Sequence, residues 1–135
     1  MTRREHCEAE VRGKLARRGF DEIAADSAIE ELKNYGYLSD SRYAEAFLRY
    51  RMQRGEAPWM AAAKAARKGV DEAALQAALE EAQSSFDAAQ ACRELLDSRD
   101  PQRLRRHDER VWQRHARFLR NRGYDAATIL AALND

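Results

Sequence analysis

The sequence predicts an all-α protein, an elongated and slightly curved tandem array of three-helix repeats. Three observations carry this. A corner motif recurs three times at near-constant spacing. Prolines are confined to Pro58 and Pro101, in a chain rich in Ala, Leu, Glu and Arg, the strong helix formers. Apolar residues recur at i, i+3 and i+4 rather than alternating.

The corner reads Leu15-Ala-Arg-Arg-Gly-Phe-Asp-Glu22, then Ala65-Ala-Arg-Lys-Gly-Val-Asp-Glu72, then Leu119-Arg-Asn-Arg-Gly-Tyr-Asp-Ala126. The glycine suits the left-handed conformation that ends a helix. Basic residues before it complement the negative end of the helix dipole. The aspartate can cap the next helix. The apolar offsets match too: Ala25, Leu75 and Ile129 stand at one position after the glycine, Ile29, Leu79 and Leu133 at another. A period of about 50 residues marks an array of supersecondary units.

The elements follow in order. A first helix is expected from about Glu5 to Arg18, burying Cys7, Val11 and Leu15. A second, Glu22 to Tyr35, buries Ala25, Ala28, Ile29 and Leu32, and Asn34-Tyr35-Gly36 ends it. Ser39-Asp40 caps a third, Ser41 to Arg54, lined by Tyr43, Ala46, Phe47 and Tyr50. Gly55 stops it, and Pro58 suits the first turn of a fourth, to Lys68, whose bulky residues are Trp59 and Met60. The fifth, Glu72 to Gln83, buries Leu75, Ala78, Leu79 and Ala82. The sixth, Phe86 to Ser98, buries Phe86, Ala89, Cys92 and Leu96. Asp100-Pro101 reads as an N-cap followed by proline at N1, predicting a long seventh helix from Pro101 to Arg122. The eighth is Ala126 to Leu133. The repeats become 1–37, with two helices, 38–84 and 85–135, with three each. The first lacks its first helix. Units this small must pack on one another.

Charge excludes less than it suggests. There are 24 basic and 23 acidic residues, a net +1, so no global attraction to nucleic acid follows. All basic residues but Lys14, Lys33, Lys64 and Lys68 are arginine. Arginine is favoured where forked bonding to phosphate matters, and a coding bias gives the same excess. The predicted seventh helix concentrates it. Arg103, Arg106, Arg110, Arg114 and Arg117 fall within about 40° of one line, a stripe about 20 Å long, with Arg120 beside it. A duplex or an acidic groove could match such a stripe. Secondary candidates are Arg12, Lys14, Arg17, Arg18, Arg49, Arg51 and Arg54, then Lys64, Arg67 and Lys68. The middle helix of each repeat is basic. The last helices of the first two are acidic, so parallel stacking predicts one positive side and one negative.

Catalysis finds no constellation. His6, His107 and His115 are dispersed, and His115 lies on an apolar flank as a core histidine does. His6, Cys7 and Glu10 lack tetrahedral metal spacing. Cys7 and Cys92 form no CxxC pair. There is no phosphate loop, nucleophile elbow or HExxH. Tyr43, Phe47 and Tyr50 read as core rather than a base-stacking platform, and Trp59 as a packing residue. No apolar run reaches membrane length and no signal peptide is visible. The expectation is a cytoplasmic monomer with no metal and no cofactor.

The chain resembles the RecX regulators of the bacterial recombinase RecA. The resemblance rests on Arg4-Glu-His-Cys-Glu-Ala-Glu-Val-Arg-Gly-Lys-Leu15 and Gly36-Tyr-Leu-Ser-Asp-Ser-Arg-Tyr-Ala-Glu-Ala-Phe47. The Arg54-Gly…Pro58 turn, the Arg67-Lys-Gly-Val-Asp71 corner and Phe118-Leu-Arg-Asn-Arg-Gly-Tyr124 extend it. It implies tandem three-helix repeats and a non-enzymatic protein. Such a protein docks in the groove of the RecA–DNA filament, or at its end, and restrains strand exchange and coprotease activity in DNA repair and the SOS response. Direct binding of single- or double-stranded DNA is also implied; a stand-alone DNA-binding repeat protein is the alternative. Three departures stand out: no further N-terminal helix, Cys7 where the family has Ser, and a weakly basic helix after Pro58.

Overall fold

The computed structural model describes residues 4–135, and aspartates begin most of its helices. The helices are α1 (Glu8–Arg17), α2 (Glu22–Asn34), α3 (Asp40–Gln53), α4 (Pro58–Arg67), α5 (Glu72–Ser84), α6 (Ala88–Arg99), α7 (Glu109–Asn121) and α8 (Ala126–Leu133). Asp21, Asp71, Asp87, Asp108 and Asp125 each accept a backbone N–H from the first turn of the helix that follows. Ser39 does the same for α3. Such caps each contribute about 1 kcal/mol. No strand occurs among the described residues.

Packing is dense within units and sparse between them. α3 lies against α4 and α5, α6 against α8, and α7 against α8, while α1 meets α2. Tyr43, Ala44 and Leu48 of α3 pack onto Ala61, Ala62, Ala65, Leu75 and Ala78. Cys92, Leu96, Leu119, Tyr124, Ile129, Ala132 and Leu133 form a second core. Each core borrows one residue from the preceding unit: Cys7 joins the first and Ala57 the second.

These two borrowed residues define the joint between units. Both are helix N-caps and both are fully buried. They stand at the same offset before their corner glycines, Gly19 and Gly69. The Cys7 thiol donates to the carbonyl of Lys68 at 3.7 Å, and the Ala57 N–H donates to the carbonyl of Arg122 at 2.8 Å. Lys68 and Arg122 are the C-caps just before the next corner glycines. The N-terminus of each middle helix therefore docks on the C-terminus of the next middle helix, positive dipole end to negative.

The close approach explains the corner glycines. Gly69 and Gly123 have φ of 84° and 101°. A Cβ on Gly69 would lie 2.8 Å from the Cβ of Ala9, and one on Gly123 would lie 2.8 Å from the Cβ of Met60. Gly19 has the same backbone sign, but a Cβ there would touch nothing within 4 Å. Around Gly123 the joint is stitched further. Trp59 Nε1 donates to the Gly123 carbonyl at 2.6 Å, and the Tyr124 hydroxyl donates to the Gly55 carbonyl at 3.1 Å. Trp59 also meets Phe86 edge to face, so it is a packing residue. At the other joint Asp40 accepts from the N–H groups of Glu8 and Asp71, tying the starts of α1, α3 and α5 together.

The structure departs from expectation most in the seventh helix. Asp100-Pro101 does not start it. Asp100 ends α6 and accepts from the N–H groups of Leu104 and Arg105, capping a single 3-10 turn, Leu104–Arg106. Arg103 takes a left-handed conformation, φ 57°, which breaks the chain direction. Asp108 then caps a fresh helix whose first residue is Glu109. α1 is also shorter than expected. Cys7 is its cap rather than part of a stripe, and Val11 and Leu15 are half-buried. Tyr43 is core as expected, whereas Tyr50 is exposed.

The glycine roles separate by substitution. Gly19→Ala should cost only backbone strain, about 1 kcal/mol. Gly123→Ala adds a clash with Met60 and Ala57 and should cost about 2–4 kcal/mol. Urea midpoints of the two variants check this order.

Candidate nucleic-acid interface

The break before α7 shortens the arginine stripe and sorts its members. Arg110, Arg114 and Arg117 lie on one face of α7 at i, i+4 and i+7 and are exposed. They span about 10 Å along the axis. None of them forms an ion pair among the described residues. Arg120 is exposed but turned about 80° from Arg110, towards the groove between α7 and α8 lined by Trp112, Arg117 and Leu130. Arg103 and Arg106 leave the stripe, since the 3-10 turn carries them off the helix axis. Arg106 donates instead to the carbonyl of Asp135 at 2.6 Å.

Arg105, which the stripe omitted, turns inward. It is buried beside Asp100, with Nη1 donating to Oδ2 at 3.0 Å and Nε donating to the Leu133 carbonyl at 3.1 Å. His115 Nε2 lies 3.8 Å from the same carboxylate. This buried group fastens the end of α6, the 3-10 turn, α7 and the end of α8. It thereby fixes the angle at which α7 presents its outer face. His115 is a core histidine, as its flank predicted.

The secondary candidates divide the same way. Lys14, Arg17 and Arg18 are exposed at the C-terminal end of α1 without carboxylate partners among the described residues, and so are Arg67 and Lys68 at the end of α4. Arg12 is paired with Asp26 at 2.6 Å and with Glu8. Lys33 also reaches Glu8 across the α1–α2 contact, at 3.7 Å. In the first unit, then, some basic and acidic side chains face each other, and the expected two-sided dipole is partly neutralised. Lys64 and Arg51 both address the buried Glu56 between α3 and α4, which makes them internal ties. Arg54 stacks over Tyr50 at 4.8 Å, and Arg49 is exposed.

Nothing at these positions resembles a reaction centre. Burial pushes the Cys92 thiol up to about 11, far from a reactive thiolate, and raises Cys7 as well. Among the described residues, no three His, Cys, Asp or Glu side chains gather in a metal-binding group. No described helix is long and apolar enough to cross a membrane.

The fold describes a class: small all-α proteins built of packed three-helix repeats. Comparison with known proteins identifies the family. Residues 1–32 match the family described as RecX, first three-helix domain, and residues 39–79 match RecX, second three-helix domain. The chain is 35% identical over 133 residues to the regulatory protein RecX of Halorhodospira halophila, covering 98% of this chain and 80% of that one. It is 32% identical to that of Ectopseudomonas mendocina, covering 96% and 84%. A crystal structure of regulatory protein RecX superposes with a TM-score of 0.69 at 16% identity, over 97% of this chain and 64% of that one, a likeness of fold. The chain belongs to the RecX family of regulatory proteins.

Two measurements test the buried cluster. Arg105→Ala removes the guanidinium partner of the buried Asp100 and should destabilise by about 3–5 kcal/mol, read from urea denaturation. The pH dependence has a definite sign. Burial pushes the His115 pKa below 6.5, against Asp100 and with help from Arg99, Arg105 and Arg114. The unfolded chain therefore binds a proton first, and stability falls as pH drops below 6.5. Burial would raise Asp100, but its hydrogen bonds from Leu104 and Arg105 hold it below 3.8. A further loss follows below that pH. His115→Gln should flatten the first step in thermal melts and leave the second.

Proposed function

We propose that this protein is a non-enzymatic regulator that binds the RecA–DNA filament in its groove. There it restrains ATP-driven strand exchange and coprotease activity in DNA repair and the SOS response. Family membership supports the regulatory role. The observation that carries the contact is the row Arg110, Arg114 and Arg117 on α7, exposed and free of ion pairs among the described residues. Guanidinium groups without internal partners are available to phosphate oxygens or to an acidic protein surface. The basic C-terminal ends of α1 and α4, at Arg17, Arg18, Arg67 and Lys68, extend the same surface chemistry into the other units. Arg103, Arg106 and Arg120 remain candidate flanking contacts.

Arg12, Arg51 and Lys64 contribute less, because carboxylates already hold them. Arg49, Arg54 and Lys14 are unpaired secondary contacts. The joints matter for this reading because a filament groove is long and repetitive. A chain whose units are locked corner to corner presents its basic helix ends at fixed spacing.

The test is inhibition of RecA ATPase on single-stranded DNA. Arg110→Glu with Arg114→Glu should weaken inhibition at least tenfold and make the remainder less salt-dependent. The double variant should melt like the parent, since both side chains are exposed. Full inhibition by that folded variant removes α7 from the interface. Tight binding to naked DNA with no effect on filaments would replace this reading with a stand-alone DNA-binding protein.

A further inference from the structure

A cluster outside the predicted stripe gathers two arginines on one aromatic ring. Phe118 of α7 carries two guanidinium groups over its ring. Arg99, from the last turn of α6, is centred 3.8 Å from the ring centroid, and Arg122, the C-cap of α7, 4.6 Å. The two are therefore no more than about 8 Å apart, close enough to repel. Neither forms an ion pair among the described residues, and Arg122 Nε is buried with no hydrogen-bond partner. Stacking on the ring offsets part of the repulsion. An anion would remove the rest.

The cluster lies round the helix from the exposed row. Arg114, Phe118 and Arg122 stand at i, i+4 and i+8, each step turning about 40°, so Arg122 is about 120° from Arg110. Arg110, Arg114 and Arg122 cover about 18 Å along the axis as they turn, with Arg99 alongside from α6. A single carboxylate satisfies one guanidinium fork. A row of unpaired guanidinium groups over this length matches a polyanion with evenly repeated charge. A phosphodiester presents two free oxygens, enough to engage two guanidinium groups at once. Ring stacking leaves the terminal Nη groups of both arginines without an internal acceptor among the described residues.

We infer that Arg99, Phe118 and Arg122 form a phosphate-binding clamp for the backbone of a single-stranded nucleic acid, with Phe118 holding the two guanidinium groups in place. This rests on the reading of α7 as a DNA-facing surface and deepens it. It gives the α6 end a contact role and makes the C-cap of α7 do two jobs. The Arg122 carbonyl receives the Ala57 N–H of the joint while its side chain addresses the ligand. Phosphate occupancy and unit packing thus meet in one residue.

The experiment is binding of the full chain to labelled oligothymidylate across a salt series, without recombinase. Loss of each phosphate contact lowers the slope of log K against log salt by about 0.7. Arg99→Gln and Arg122→Gln should each show that decrease. A fourfold rise in salt should then cost the double variant about sevenfold less affinity than the parent. Phe118→Leu should weaken binding with the slope nearly kept, because both charges remain. Arg93→Gln, an exposed arginine on α6 outside the cluster, should change neither. Unchanged slopes in folded Arg99→Gln and Arg122→Gln, no binding by the parent, or competition by polyglutamate equal to that by polyphosphate would each overturn the clamp. Because recombinase is absent, loss of filament inhibition with the slopes as expected would count against the regulatory reading alone.

Discussion

The architecture depends on one contact made twice: the N-cap of a middle helix seated against the C-cap carbonyl of the next. A helix terminus leaves backbone groups unsatisfied, and a buried one needs partners. Here the free N–H of one unit and the free carbonyl of its neighbour satisfy each other. In the second joint this is the amide of Ala57 on the carbonyl of Arg122; in the first a thiol, Cys7, stands in the donor's place. The small side chains at Cys7 and Ala57 are what allow two helix ends to come this close. The glycines at 69 and 123 answer the same demand from the other side.

The electrostatics follow from this wiring. Stacking a positive helix end on a negative one is favourable without any charged side chain at the contact. Basic residues crowd the last turns of α1 and α4 and complement the local dipole there. Those of α4 still remain at the surface, because only the backbone of that turn enters a joint. The buried carboxylates do other work. Glu56 ties Lys64 and Arg51 across α3 and α4, and Asp100 holds Arg105 and His115 where three elements converge. Two carboxylates are buried with their cations, while Arg110, Arg114 and Arg117 stay exposed and make one face of α7 basic in a chain of near-zero net charge.

Much of this was legible in the sequence, and the failures have physical causes. The corner Gly-x-Asp fixed the starts of α2, α5 and α8, because glycine and a capping aspartate act locally. The seventh helix was misread because Asp100-Pro101 is a good start signal for either an α-helix or a single turn. What decided between them was non-local: Arg105 pulled inward to Asp100 and to the Leu133 carbonyl. The Arg99–Phe118–Arg122 cluster was invisible for a similar reason, since Arg99 and Phe118 belong to different helices. Arg12 and Arg51 counted as free charges by composition alone, and only the folded chain shows the carboxylates beside them.

The placement of the tryptophans has an optical consequence. Trp59 sits in the joint between the second and third units, bonded to the Gly123 carbonyl and edge-on to Phe86. Trp112 lies half-buried in the α7–α8 groove near Arg117. One indole reports whether neighbouring units are seated. The other reports what approaches the arginine-bearing helix. Their emission divides the intrinsic fluorescence of this protein into a signal of assembly and a signal of contact, without any added dye.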